Sequence, residues 1–149
     1  MKFQKSTRSD PAFTIIELIV VLTVAIIVMG IALPSLLSWL PTYRLSAGAR
    51  QVASDLQLAR MKAISQNAKF RLNFISTTQY QFEKDLVADG GPISLPDGIT
   101  ATTLGATSEF QARGTANTGV GNSTITLTND GGTTMKSIQI SVVGRVAIL

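Results

Sequence analysis

The side chains of this 149-residue chain limit the chemistry that it could perform. It contains no histidine and no cysteine, which removes the commonest general base, the commonest metal ligand and the thiolate nucleophile. A histidine-based triad cannot be assembled, and no disulfide can form. The composition therefore predicts a protein that is not an enzyme, with no cofactor and no metal site.

One carboxylate has an unusual position, because Glu17 lies just inside the start of a long apolar stretch. No charged residue follows it between Leu18 and Tyr43. A carboxylate at the centre of a membrane helix costs about 2.5–3.5 kcal/mol, and less near an end. A cation that pairs with Glu17 would offset this cost. The alternative is that the side chain reaches the headgroups or becomes protonated.

Three aspartates, Asp85, Asp89 and Asp97, lie around a glycine-rich segment. Carboxylate oxygens are calcium ligands, but the spacing of these residues matches no calcium-binding loop. We interpret them as ordinary loop residues.

A membrane helix must position Glu17. Residues 13–33 are dominated by Ile, Val, Leu and Ala, and a helix of this length spans roughly 30 Å, the thickness of the hydrocarbon core. The stretch is too long for an ordinary secretory signal, so we predict a retained span. Lys2, Lys5 and Arg8 precede it, which indicates a cytoplasmic N-terminus and places residues after about 43 on the other side.

The helix is predicted to continue past the span with an amphipathic second half. Pro34, near the end of the span, removes a backbone donor and is expected to produce a kink. Apolar residues then recur at spacings of 3 and 4 and define one face. These residues are Leu45, Ala49, Val52, Leu56, Ala59 and Ala63.

The rest of the chain reads as antiparallel strands. Apolar residues alternate with polar ones in 70–74 and again in 79–83, which predicts a hairpin. Thr124–Thr128 and Met135–Val143 are two further strands, joined by a turn at Asn129-Asp130-Gly131-Gly132. The predicted fold class is α+β, a long N-terminal helix with a membrane half and an amphipathic half, packed on a small antiparallel β-sheet.

Three segments follow from this organisation. Residues 1–12 are predicted to form a basic leader peptide, and residues 13–41 a transmembrane helix. Residues 42–149 contain the amphipathic half-helix and the antiparallel head domain.

Two sets of motifs carry a family resemblance. Phe-Thr-Ile-Ile-Glu-Leu at 13–18 resembles the FTLIEL signature of type IV pilins and type II secretion pseudopilins. Further motifs are similar to those of the GspH/FimT minor pseudopilins. They are Leu95-Pro96-Asp97-Gly98-Ile99, Phe110-Gln111-Ala112-Arg113-Gly114 and Ser141-Val142-Val143-Gly144-Arg145.

The resemblance implies processing and an assembly site. A prepilin peptidase would cut between Ala12 and Phe13, and Phe13 would then be N-methylated. The family usually has glycine before the cut, and this sequence has Ala12. In a helical assembly, the new amine of a neighbouring subunit could pair with Glu17, which would set the axial register.

The resemblance also implies the partners and the function. The chain would be a minor pilin or pseudopilin of a type IV pilus or type II secretion pseudopilus, with other pilins as partners. It would be anchored in the bacterial inner membrane, with a periplasmic head, before it enters a filament. The alternative is a FimT-like receptor that binds DNA for natural transformation through Arg145, Lys136 and Arg113. FimT-like tails carry a Gly-Arg-x-Arg pattern, whereas this tail reads Gly144-Arg145-Val146-Ala147.

Overall fold

The computed structural model describes residues 14–149 and, for residues 33–38 within a helix, the backbone alone. The helix, α1 (Ile15–Gln66), is 52 residues long. It ends at Asn67, which has a left-handed φ of 48°. The amide of Ala68 donates to the carbonyl of Ala63 at 3.2 Å and closes the last turn, as in a Schellman motif.

Strands follow the helix along the described chain. In chain order they are β1 (Phe70–Phe74), β2 (Gln79–Lys84), β3 (Val87–Ala88), β4 (Ile93–Ser94), β5 (Ile99–Ala101), β6 (Gly105–Ala106), β7 (Glu109–Phe110), β8 (Ala116–Asn117), β9 (Thr124–Asn129), β10 (Met135–Ile140) and β11 (Val146–Ile148).

The first sheet is built around the hairpin predicted from the alternation of β1 and β2. Its order is β3-β2-β1-β7-β8, with β4 also paired to β2 and β6 also paired to β1. Leu72 lies opposite Phe82 in the antiparallel register, and both side chains are buried. The prediction of a hairpin here is confirmed.

The second sheet has the order β11-β10-β9-β5. Its central hairpin turns at the predicted glycine-rich segment, where the amide of Gly132 donates to the carbonyl of Asn129 at 2.8 Å. Strand β10 was predicted to continue to Val143, but it ends at Ile140. A tight turn follows, because Gly144 has a φ of 76° and Ser141 donates to the carbonyl of Arg145 at 2.9 Å.

The hydrophobic core lies between the second half of α1 and the two sheets. All six helix residues of the predicted apolar face are buried, each no more than 1% exposed. From the sheets come the large buried side chains Phe70, Leu72, Tyr80, Ile99, Phe110, Ile125, Leu127, Ile138 and Ile140. The predicted α+β fold class is confirmed, with two sheets where one small sheet was expected.

Backbone contacts divide the chain into two compact units between Ser38 and Trp39. The second unit contains the core and both sheets, and we call it the head. The predicted functional boundary after residue 41 stays a prediction.

Candidate functional site

Thr14 caps the start of the helix. Its hydroxyl oxygen accepts the amide N–H of Glu17 at 3.3 Å, and its carbonyl accepts the amide of Leu18 at 3.2 Å. The spacing Thr-x-x-Glu is typical of a capping box, a signal that the sequence prediction missed. Glu17 consequently lies in the first turn, where the exposed amides and the helix dipole favour a negative charge.

The helix that follows Glu17 presents apolar side chains in every direction. Ile15–Ala32 forms an 18-residue segment with a mean hydropathy of 2.9, and none of it is buried within the chain. Within this segment, the hydroxyl of Thr23 donates to the carbonyl of Ile19 at 2.8 Å, so its hydrogen bond is made inside the helix. The segment is long and apolar enough to cross a membrane.

A polar network holds the second half of the helix to the first sheet. The hydroxyl of Tyr80 donates to Asp55 at 2.5 Å and accepts the side-chain amide of Gln51 at 3.0 Å. Gln51 also donates to the carbonyl of Ser94 at 3.0 Å. Burial, and then the hydrogen bond to Asp55, raises the pKa of Tyr80 above its ordinary value. The network therefore keeps a neutral tyrosine as the donor between helix and sheet.

Charged pairs surround the core of the head. Arg71 contacts Glu83 at 2.7 Å, and both side chains are largely buried. Lys62 contacts Asp89 at 2.8 Å and lies 4.8 Å from the ring centre of Phe82. A cation placed over an aromatic ring gains a further favourable contact.

Arg60 was not predicted as a site residue, and it joins a loop of the first sheet, between β7 and β8, to a loop of the second sheet, between β10 and β11. Its Nε donates to the carbonyl of Gly114 at 2.8 Å, and its Nη2 donates to the carbonyl of Val143 at 3.4 Å. The loops meet so closely that a Cβ on Gly144 would collide with the carbonyl oxygen of Gly114. No sequence motif predicts this role of Arg60, because the role depends on the close approach of two loops that are distant in sequence.

The structure brings together two of the three residues proposed for DNA contact. Arg113 and Arg145 each lie beside one of the two touching glycines, Gly114 and Gly144, and both are exposed. Lys136 lies on β10, five residues before Ser141, or about 17 Å along the strand. Lys136 is therefore well separated along the sheet from the loop that carries Arg145.

Several predicted residues are left untested. Ala12 and Phe13 lie outside the described residues, so cleavage and methylation stay predictions. The kink at Pro34 also stays a prediction.

The three aspartates of the glycine-rich segment do not act together. Asp89 pairs with Lys62, while Asp85 accepts the backbone amide of Lys69 at 3.1 Å. In the part of the chain that the structure describes, no three acidic side chains converge in a way that could hold a metal ion.

In a comparison with protein families, residues 48–144 match the family described as Type II transport protein GspH. A comparison with curated proteins gives no match.

Solved structures with the same fold include the type IV minor pilin FimU of Pseudomonas aeruginosa. It has a TM-score of 0.59 and 19% identity, and the alignment covers 72% of this chain and 90% of FimU. Another is the minor pseudopilin EpsH from the type 2 secretion system of Vibrio cholerae. It has a TM-score of 0.54 and 14% identity, with 71% of this chain and 96% of EpsH covered. At such low identities, the TM-scores show a shared fold and no more.

Proposed function

The chain belongs to the GspH family of type II transport proteins, and on that premise we propose that the helix beginning at Ile15 builds it into a pilin-like filament. Members of this family are structural components of filaments and not enzymes. The chain accordingly acts in the assembly of a pilus or pseudopilus and associates with other pilins or pseudopilins. The DNA-binding alternative has no support from the family or from the similar structures.

The observation that supports this proposal is the exposed apolar segment Ile15–Ala32 with Glu17 in its first turn. Because these 18 residues bury no side chain within the chain, they add no stability to the head. An exposed apolar segment of this size indicates a surface that contacts a membrane or another protein. Lipid covers such a helix before assembly, and neighbouring helices cover it in a filament. The helix is suited to membrane anchoring, and we place it in the bacterial inner membrane with a cytoplasmic N-terminus and a periplasmic head.

The proposal gives Glu17 its role after processing. Cleavage between Ala12 and Phe13 by a prepilin peptidase would create an amine on Phe13, four residues before Glu17 in the sequence. In a filament, the amine of one subunit would pair with Glu17 of its neighbour. Only one axial offset allows this pairing, so it would fix the register of the two helices.

The experiment compares Glu17→Gln with Thr23→Val in the full chain. Glutamine can still serve in a capping box, so Glu17→Gln removes the charge and keeps the helix start. Thr23→Val removes a polar group in the same segment without a change of charge. Both variants should fractionate with membranes, and Glu17→Gln alone should be reduced in sheared filaments. Equal incorporation of Glu17→Gln and the unmodified chain would contradict the proposal.

A further inference from the structure

We propose that strand β11 is an open sheet edge that accepts an extended segment of a neighbouring subunit. This inference rests on the proposed function, because it assigns a second contact within the same filament. It concerns the head, whereas the first contact concerns the helix around Glu17.

The hydrogen-bond pattern shows which way the backbone of β11 faces. Leu149 exchanges both backbone bonds with Ser137, and Ser141 donates to Arg145. Antiparallel pairs alternate between bonded and unbonded positions, so the residues at Val146 and Ile148 turn their N–H and C=O groups away from β10. None of these four groups has a partner among the residues that the structure describes.

Two other sheet edges in the head are covered by backbone hydrogen bonds. On the opposite edge of the same sheet, β5 turns the amide of Ala101 to the carbonyl of Thr77, at 2.7 Å. On the first sheet, β8 turns the amide of Ala116 to the carbonyl of Val142, at 2.9 Å. Ala88 on β3 also turns its backbone groups outward, but β3 has two residues and β11 has three. The open groups of β11 therefore form the longer template for one more strand.

The edge also lacks the residues that normally protect it. Native proteins guard open edges with lysine, proline, bulges or a covering loop. Residues 146–149 read Val-Ala-Ile-Leu, with no charge and no proline. Ile148 is 39% exposed and Leu149 is 70% exposed. An unprotected apolar edge of this kind promotes pairing with another chain.

The surroundings of the edge define the chemistry of its partner. A groove of about 300 Å³ lies between β11 and α1, lined by Gln57, Arg60, Met61, Gly144, Arg145 and Val146. Met61 is 59% exposed. None of the ion pairs in the described part of the chain involves Arg60 or Arg145. The matching segment is extended, turns apolar side chains toward Met61 and carries a carboxylate near Arg145.

The test uses two substitutions at one position in the full chain. Ile148→Pro removes the outward N–H and leaves the bonds between β10 and β11 in place, since residue 148 makes none of them. Ile148→Thr is the matched control, because it also removes the isoleucine side chain but keeps the N–H. Ile148→Pro is expected in sheared filaments at about one tenth of the level of Ile148→Thr or less. Equal levels would overturn the inference.

A second measurement needs no variant and therefore does not depend on how Ile148→Pro folds. Hydrogen exchange at the amides of Val146 and Ile148 is compared between the full chain in detergent and the assembled filament. These amides are expected to slow about tenfold or more on assembly. Ala88, whose amide also turns outward from an edge of the first sheet, is the reference amide. Unchanged exchange at both positions would overturn the inference.

The two proposals can fail separately. If the unmodified chain is absent from filaments, the proposed function is wrong and this inference falls with it. If the unmodified chain is present, and Ile148→Pro is incorporated as well as Ile148→Thr, the inference alone is wrong.

Discussion

The apolar side chains in the two halves of α1 differ in whether the chain itself buries them. In Ile15–Ala32 no residue is buried within the chain. In the second half, the stripe from Leu45 to Ala63 is buried against the two sheets. The first half is apolar on every face, whereas the second keeps its apolar residues on one face and places charges such as Arg50 and Lys62 elsewhere. One continuous helix therefore needs lipid or other helices for its first half and its own head for its second.

The polar side chains of the two halves also differ in where their hydrogen-bond partners lie. Thr23 bonds to a carbonyl of its own helix. Gln51 and Asp55 in the second half bond to Tyr80 across the core. A polar group that must stay compatible with lipid is satisfied locally, while one beside a sheet can serve as a tertiary contact. The substitutions below test this contrast.

The largest effect on the stability of the head is expected at Leu56, with Leu22 as its matched control. Leu56 is fully buried, so Leu56→Ala should lower the free energy of unfolding of the head by about 2–5 kcal/mol. Leu22 is 53% exposed in the first half, and Leu22→Ala should leave that free energy unchanged. Urea unfolding of the full chain in detergent, followed by circular dichroism, measures both values. Similar losses in the two variants would contradict the division of the helix into two halves.

A smaller effect is expected at the network between helix and sheet. Tyr80→Phe keeps the ring and removes the hydroxyl that donates to Asp55, so the head should lose about 1–2 kcal/mol at neutral pH. Thr23→Val removes a hydroxyl that bonds within its own helix, and it should not change the unfolding of the head. The same urea titration measures the free energy of unfolding of both variants. An equal loss in the two would contradict the tertiary role of Tyr80.

The same residue predicts a pH dependence. Because burial raises the pKa of Tyr80 in the folded head, the unfolded chain loses this proton first, near its ordinary pKa of 10.0. The stability due to the protonated tyrosine is complete below pH 10 and decreases as the pH rises above it. Unfolding measured between pH 8 and 11 should show this decrease in the unmodified chain and a weaker one in Tyr80→Phe.

The smallest effect is expected at the margin of the buried stripe. Lys62 and Asp89 are each about one third exposed, so Lys62→Met should cost only about 0.2–1 kcal/mol. The difference should shrink as salt is added. Lys84→Met is the control, since Lys84 bonds to the neutral side chain of Gln66. A loss at Lys62 that does not depend on salt would show that packing over Phe82, rather than the ion pair, is responsible.

Sequence periodicity predicted the parts of the fold that follow regular patterns. Spacings of 3 and 4 located the buried face of α1, and alternation located the hairpin of β1 and β2. The turn at Asn129–Gly132 was predicted because glycine tolerates the backbone conformations of tight turns. In each case, the local pattern and the tertiary environment favour the same structure.

Features that depend on contacts between distant segments were not predictable in this way. Strands such as β3 and β8 are two residues long, too short for alternation to show, and pairing with their neighbours defines them. The apolar residues Val142 and Val143 favoured a longer β10, but the turn at Gly144 ends it at Ile140. The role of Arg60 depends on two loops about 30 residues apart in sequence, which no local pattern connects.

The central claim is that the two halves of α1 have different partners, and cross-linking tests it most directly. A photoactivatable diazirine analogue of leucine would replace Leu22 in one protein and Leu56 in another, with little change of shape. After irradiation of filaments, position 22 should yield covalent adducts between subunits, and position 56 should yield none. Absence of such adducts at position 22, or equal yields at the two positions, would contradict the account.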